Sequence, residues 1–533
     1  MPRSLPSSPV TLPMLVALVV FVTWSATEAG LPLAHWYPGT LFLLGLLAAT
    51  AFVLPARGRD LPRATKVAGI FLLAFTAWSF ASILWAEAQS DAWDGANRTL
   101  LYLVVFALFA LWPQDETGAT IVLCAWVLAI AGIALVQLLV LTAADDPSGA
   151  FIADRLAEPA GYPNAQAATL MMAFFPAVVL AGRRELPWWS RGVFAAAAVI
   201  LADVALLSQS RGLIYAFPIL VVALFVFLPG RARSFGVLLV VGGAVTATAP
   251  GVLDVGRRLR DGETAAAAMS GAARPIVLAS LLVAAVVTAV ARFDRIRRLP
   301  VAAEQRIARG VGALGLAGAL AGVVVALAIA GNPIDVVRDG WRSFKQKDNP
   351  VTAANTSSRL GSGLGSNRYD FYRVALDNFA DRQMVGKGGD NFERDYLVRG
   401  RSLETPRYPH SLELRTLSEL GIVGALLLLG VVAGVCAGAL TAMRRGPPLG
   451  RAVAGGAAMV FAYWLVHGSV DWFFEFAGLG APAFAMAGLA CALIPRPGAA
   501  EAEAAAAHPP ALVHGWAVPA GVAAVLVAGV SLV

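Results

Sequence analysis

Charge is scarce in this chain: 14% of its 533 residues are Asp, Glu, Lys or Arg, where a soluble domain carries roughly 25%. That shortage, with a mean hydropathy of +0.70, excludes an ordinary soluble protein. Cysteine is scarcer still. Cys124, Cys436 and Cys491 all lie inside apolar runs, so the exposed loops carry neither a disulfide framework nor a cysteine-based metal site. The histidines His35, His410, His467, His508 and His514 lack the spacing of a metal cluster. No convincing small-residue cleavage site follows the first apolar run, which therefore reads as a first span and not as a removable signal. An internal repeat, the mark of many transporters, is also missing.

Apolar sequence is what the chain has in abundance, with 58% hydrophobic residues. Runs long enough to cross about 30 Å of hydrocarbon as helices recur from residue 11 to the last residue, without the alternation of barrel strands. The expectation is an all-α polytopic membrane protein with spans near 11–28, 39–55, 67–86, 98–112, 120–142, 165–181, 192–208, 212–229, 235–250, 274–291, 310–330, 418–441, 453–471, 476–494 and 515–533. These divide into an N-terminal bundle (1–330), a polar loop (331–417), C-terminal spans (418–494) and a linker with a last span (495–533).

With the N-terminus inside, alternate loops receive Arg57, Arg59, Arg63 and Lys66, then Arg183, Arg184 and Arg191, Arg231 and Arg233, Arg292 to Arg309, and Arg444, Arg445 and Arg451. This positive-inside pattern sends the opposite loops outward, among them Glu87 to Asn97, Ala143 to Asn164, Ser208 to Arg211, Gly251 to Ala273 and His467 to Glu475. Arg257, Arg258 and Arg260 run against the rule. The last run stops at Val533 with no polar tail, as though the polypeptide continued.

The stretch Ser357 to Gly424 stands apart, because a polar insertion of this length between apolar segments is functional or disordered. In RYDFYRVALDNFAD, Phe371, Ala375 and Phe379 recur four apart with Tyr372 and Leu376 beside them, which predicts an amphipathic helix on the outer end of the bundle. VGKGGDNF is a Gly-rich turn, either a phosphate cradle built from backbone donors or simply a loop. His410 follows Pro409 and heads a long helix, whose positive dipole end disfavours imidazolium and leaves the neutral form that a general base requires. Taken alone, a loop histidine is more often a hydrogen-bonded structural residue.

Arg155, Arg211, Arg368 and Arg373 stand beside membrane ends on the outward side. Their planar forks of donors match phosphate oxygens, and a diphosphate on a polyprenyl tail is an anion found at such an interface. The plain alternative is arginines snorkelling to lipid headgroups. Arg211 sits in LLSQSRGLIY, a tight turn between two spans, and Asp203 on the preceding span is expected to pair with an arginine inside the bundle. HGSVDWFFEF brings His467, Asp471 and Glu475 to the same side, either to position a sugar or as part of an interfacial aromatic belt.

In chain order, RLAEPAGYPNAQA, then QSRG, then a long outward loop holding RYDFYRVAL and GKGGDNF, then HSLELRTLSELGIVG resemble the O-antigen ligase and O-antigen polymerase family of bacterial membrane glycosyltransferases over most of residues 67–494. The resemblance implies a GT-C-like helical membrane fold, and the apolar runs put its bundle at about 14–15 transmembrane helices. It also implies transfer of a glycan from a polyprenyl diphosphate carrier to an acceptor hydroxyl at the outer face of the cytoplasmic membrane, with no metal and no cofactor. Arg211 of QSRG and Arg368 match the arginines that hold the diphosphate, helped by Arg155 or Arg373, and His410 matches the proposed base. Asn164 with Pro163 matches the Pro-Asn turn, and Glu419 with Gly421 the Glu-x-Gly. Asn164, Glu419, His467 and Asp471 are the expected acceptor or support residues.

Ser411 stands where the family has asparagine, and Lys387 separates Gly386 from Gly388, so the acceptor side stays open. The expected partners are the lipid-linked donor, a glycan, lipid or protein acceptor, and membrane lipid, with no nucleic acid. Inversion at the anomeric carbon is the expected stereochemistry. The competing expectations are a flippase or transporter of lipid-linked glycans, a cell-wall strand polymerase using Asp370, Asp377 or Asp390, and a scaffold without activity.

Overall fold

The computed structural model describes residues 9–54, 61–296, 333–345, 367–402 and 404–496, with the isolated positions 306, 309, 310 and 313. The expected spans at 310–330 and 515–533, the basic residues Arg57 and Arg59, and the linker with His508 and His514 lie outside these described residues. Among the described residues the chain is all-α. Its helices are α1 (Thr11–Ser25), α2 (Leu33–Val53), α3 (Arg63–Ser82), α4 (Gln89–Ala110), α5 (Glu116–Ala143), α6 (Pro163–Ala181), α7 (Trp188–Leu207), α8 (Arg211–Phe227), α9 (Arg231–Arg260), α10 (Ala265–Ile296), α11 (Pro333–Lys345), α12 (Arg368–Asp381), α13 (Phe392–Arg399), α14 (Leu412–Arg445), α15 (Pro448–Gly468) and α16 (Ala477–Ala492). A single short hairpin, Phe151–Ile152 against Arg155–Leu156, interrupts them.

Local chemistry sets where the helices begin. Asp115, Ser210 and Ser411 cap α5, α8 and α14 by accepting from backbone N–H groups one turn on, and Pro163 and Pro448 open α6 and α15, where a missing N–H costs nothing. Among the described residues, 9 helices are long and apolar enough to cross a membrane, and α1, α8 and α16 are shorter apolar helices. The chain is a multi-pass membrane protein. Two expected loops prove mostly helical. α4 starts at Gln89, inside the stretch 87–97, and α9 and α10 run through most of 251–273. The basic residues there are neutralised locally, Arg257 by Asp254 at 2.7 Å, Arg258 by Glu263, and Arg260 by Asp154 at 3.8 Å.

α6 and α16 are buried along their whole length, whereas α2, α9 and α10 keep Leu41, Phe52, Leu239, Leu278 and Leu282 exposed toward lipid. Helices in hydrocarbon gain little by hiding leucine from lipid and associate through small residues instead. Gly430, Gly434 and Gly438, four apart on α14, bring its backbone against Phe71 and Ala68 of α3 and Cys491 of α16. Asp203 is buried on α7 and accepts from Thr248 at 2.8 Å. It is not held by an arginine, as had been expected, because a hydroxyl on the facing helix reaches it first.

The loop helices dock through a break in α14. Gly421 has φ 66 and ψ −167, a conformation essentially reserved for glycine, and the opened backbone pairs with the chain after α12. Lys387 N–H donates to Ser418 O at 3.0 Å, Gly388 N–H to Glu419 O at 2.8 Å, and Ile422 N–H to Gln383 O at 2.8 Å. The GKG turn is therefore no phosphate cradle, since the Lys387 and Gly388 N–H groups are taken up by α14 and that of Gly386 by Arg382 O at 2.8 Å. α12 forms as expected, but the stripe it buries is Phe371, Val374, Ala375 and Asn378. Leu376 faces outward.

Candidate active site

The turn after α15, the turn before α8, the start of α6 and the loop helix α12 meet at one end of the bundle, and Asp471 lies at their centre. Its carboxylate is buried and accepts from Arg368 at 3.1 Å, from Asn164 Nδ2 at 2.6 Å, from the Tyr162 hydroxyl at 3.2 Å and from the Trp472 N–H at 3.0 Å. Arg155 joins from the hairpin, donating to Asn164 Oδ1 at 2.6 Å and to Ser208 O at 2.9 Å. Burial alone would raise the Asp471 carboxyl, but Arg368, backed by His410 and His467 and the Trp472 N–H, brings it below the usual carboxylate range. Residues more than 100 apart in sequence are tied here by one anion.

His410 opens into the same place. It is half-buried, has φ 55 and precedes the Ser411 cap of α14, so it lies just outside the helix and not within its first turn. Its ring packs against Phe371 and Trp472, with centroids 5.2 and 5.9 Å away, and Tyr372 OH donates to its carbonyl at 3.1 Å. A narrow crevice is lined by His410, Asp471, Trp472, Arg415, Phe474 and Glu475. Nδ1 lies 2.9 Å from Tyr408 O, a contact that an Nδ1–H satisfies and that leaves Nε2 as the acceptor. Burial pushes the imidazole down to about 4, with Asp471 opposing and Arg368 assisting. The ring is neutral at physiological pH.

Arg211 begins α8 directly after Ser210, whose hydroxyl is 3.4 Å from His467 Nε2. His467 Nδ1 contacts Tyr463 OH at 3.0 Å, and any side chain at Gly212 would run into the imidazole. His467 thus anchors the start of α8, four residues before Asp471 in the chain. Arg155, Asn164, Arg368, Asp471 and His410 gather together, with His467 and the helix start at Arg211 alongside. Arg373 does not join them. It pairs with Asp370 at 2.8 Å and Asp377 at 2.9 Å on its own helix and donates to Arg399 O at 2.6 Å, because on α12 it lies on a different side from Arg368.

Glu419 belongs to a second cluster, one the sequence did not suggest. Asp390, in the turn before α13, pairs with Arg98 of α4 at 3.0 Å and with Arg415 of α14. Arg415 also meets Glu419 at 3.3 Å and Glu475 at 2.7 Å, and its guanidinium lies 4.4 Å from the Phe474 ring. Burial raises Asp390, but Arg98 and Arg415 overcome it and hold the carboxyl low; Glu475 is pushed up to about 7 by burial, with Arg415 opposing. Arg415 and Glu475 form the rear of the His410 crevice. The one available hint was local, the i,i+4 pair Arg415 and Glu419 on a helix.

Residues 264–429, running from the start of α10 through the loop helices and His410 into α14, match the family model described as O-Antigen ligase. That segment makes the chain similar to the O-antigen ligase and polymerase family over about a third of its length. A comparison with curated proteins finds no match. The match supports, in general terms, a membrane glycosyltransferase of that kind. The matched segment supplies Arg368 and His410, while Arg155, Asn164, Arg211 and Asp471 come from parts of the chain on either side of it.

Proposed function

We propose that this glycosyltransferase moves a glycan from a polyprenyl diphosphate onto an acceptor hydroxyl at the outer face of the cytoplasmic membrane. The observation that carries the reading is the meeting of Arg368 and Asn164 on Asp471, whose side chain lines the same crevice as His410. The arginine-rich ends of α6, α8 and α14 lie at the other end of the bundle, which under the positive-inside rule supports an outward-facing His410.

The diphosphate is held by Arg368 and Arg211, with Arg155 steadying Asn164 beside them. Positive groups fixed before the reaction stabilise charge that develops on the leaving diphosphate. Asp471 keeps Arg368 aimed and charged while leaving it further N–H donors. His410 Nε2 accepts the proton of the acceptor hydroxyl as its oxygen forms the bond to the anomeric carbon, and the bond from that carbon to the diphosphate oxygen breaks. Attack opposite the leaving group inverts the carbon. The arrival of the donor's negative charge raises the imidazole's affinity for that proton. No metal takes part in this sequence of steps.

The test is turnover of a polyprenyl-diphosphate glycan by purified protein in lipid nanodiscs. Removing a general base costs roughly 10²–10⁴-fold, so His410→Gln lowers kcat by at least about 100-fold while donor affinity holds. Arg211→Gln raises donor KM and lowers kcat together. A His410→Gln protein that turns over normally removes the base assignment. The products distinguish a polymerase, which lengthens lipid-linked chains, from a ligase, which detaches them from the carrier.

A further inference from the structure

The three helices whose outer ends frame the candidate active site leave a separate cleft at their opposite ends. It has a volume of about 330 Å³, within the range of small-molecule sites, roughly 300–1,000 Å³. The end of α8 contributes Val226 and Phe227, 57% and 53% exposed on the bundle surface, and α14 contributes Leu440. Arg231 at the start of α9, Arg444 at the end of α14 and Arg451 on α15 complete the lining. None of the lining residues is acidic. Arg231 donates to Phe225 O at 3.0 Å and Arg451 to Met443 O, so backbone carbonyls orient both without cancelling their charge.

Behind the turn that closes the cleft, Arg183 is 5% exposed and donates to Gly230 O at 3.1 Å, while its Nε has no hydrogen-bond partner. Of the acids at this end, Asp294 is already taken by Arg184 at 2.6 Å and Arg191 at 3.7 Å, and Glu185 is shared electrostatically among Arg183, Arg184, Arg191 and Arg233. Positive charge is left over where an apolar wall meets the rim of the membrane.

We propose that this cleft binds an anionic phospholipid, its phosphate between Arg231, Arg444 and Arg451 and an acyl chain along Val226, Phe227 and Leu440. Forked guanidinium donors match phosphate oxygens, and basic pockets between transmembrane helices take anionic headgroups. The bound lipid bridges the inner ends of α8 and α15, whose outer ends carry Arg211 and His467, and so braces them.

The experiment is thermal unfolding of the full chain in neutral detergent with added phosphatidylglycerol, phosphatidylcholine or soluble glycerol phosphate. Phosphatidylglycerol is expected to raise the midpoint by several degrees and the other two to leave it unchanged. The exposed Arg444→Gln change combined with Arg231→Gln abolishes the shift. Leu440→Trp, which fills the apolar part without touching charge, abolishes it as well. No shift in the parent, an equal shift with phosphatidylcholine, or a shift that survives the double substitution overturns the proposal. An equal shift with glycerol phosphate replaces the lipid with a free phosphate ester and overturns it too.

Discussion

Replacing Asp471 by Asn tests the centre of the candidate site with almost no change of shape. In the parent, Arg368 and Asn164 Nδ2 both donate to Oδ2, and Tyr162 and the Trp472 N–H donate to Oδ1. An amide offers one oxygen and one NH2, so in either rotamer a pair of these donors faces another donor. Each buried donor left unmet costs about 1–3 kcal/mol, and losing one member of a buried ion pair costs about 3–5 kcal/mol. Arg368 keeps 20% of its side-chain surface exposed, so water makes up part of the loss and about 3 kcal/mol is the working figure, at the lower end of that range. If that energy is felt in the transition state, kcat/KM falls by roughly 100-fold, at 1.36 kcal/mol per decade.

The assay is glycan transfer in nanodiscs alongside thermal unfolding of the same samples. Because the two residues act through one contact, Arg368→Gln added to Asp471→Asn is expected to cost far less than the sum of the single changes. An Asp471→Asn protein with kcat/KM within threefold of the parent and an unchanged midpoint refutes the central role given to this carboxylate.

In the proposed mechanism the neutral form of His410 is the active one, and burial pushes its pKa from 6.5 down to about 4, so kcat/KM of the free enzyme is expected to hold steady as pH falls through 6.5 and to drop only toward 4; an acid limb centred near 6.5 in a pH–rate profile contradicts this. Arg373→Gln leaves donor KM within twofold, since its partners are Asp370 and Asp377, and lowers stability by about 1 kcal/mol, as pairs that keep contact with water do; a tenfold rise in KM restores it to the site. Gly421→Ala places a side chain at φ 66 against the Met384 backbone, a strain of about 1–3 kcal/mol before any clash. It is expected to free the segment after α12 to proteolysis within residues 382–402 and to lower activity with it; an intact, protected loop refutes the docking role.

Much of the architecture follows from the chain's one-dimensional pattern. Burial in hydrocarbon demands helices and long apolar runs, so the membrane class, the helices at nearly every expected span and the alternation of basic ends are written in local composition. QSRG before α8 and His410 before α14 are likewise local, because a turn and a cap involve only neighbouring residues. Which carboxylate receives which arginine is not local at all. Arg368 and Asp471 are 103 residues apart, and Arg98 and Asp390 are 292 apart. Nothing in RYDFYR distinguishes Arg368, which reaches Asp471, from Arg373, which folds back on its own helix; five residues of helical rotation and the docking of α12 decide it. The helical stretches within 87–97 and 251–273 were hidden for a related reason, since charged residues there resemble loop until ion pairs and neighbouring helices satisfy them. Composition therefore determined that this is a helical membrane protein with polar chemistry at one end, and tertiary packing alone decided which charges meet, because a buried charge takes its partner from whatever the fold brings within reach.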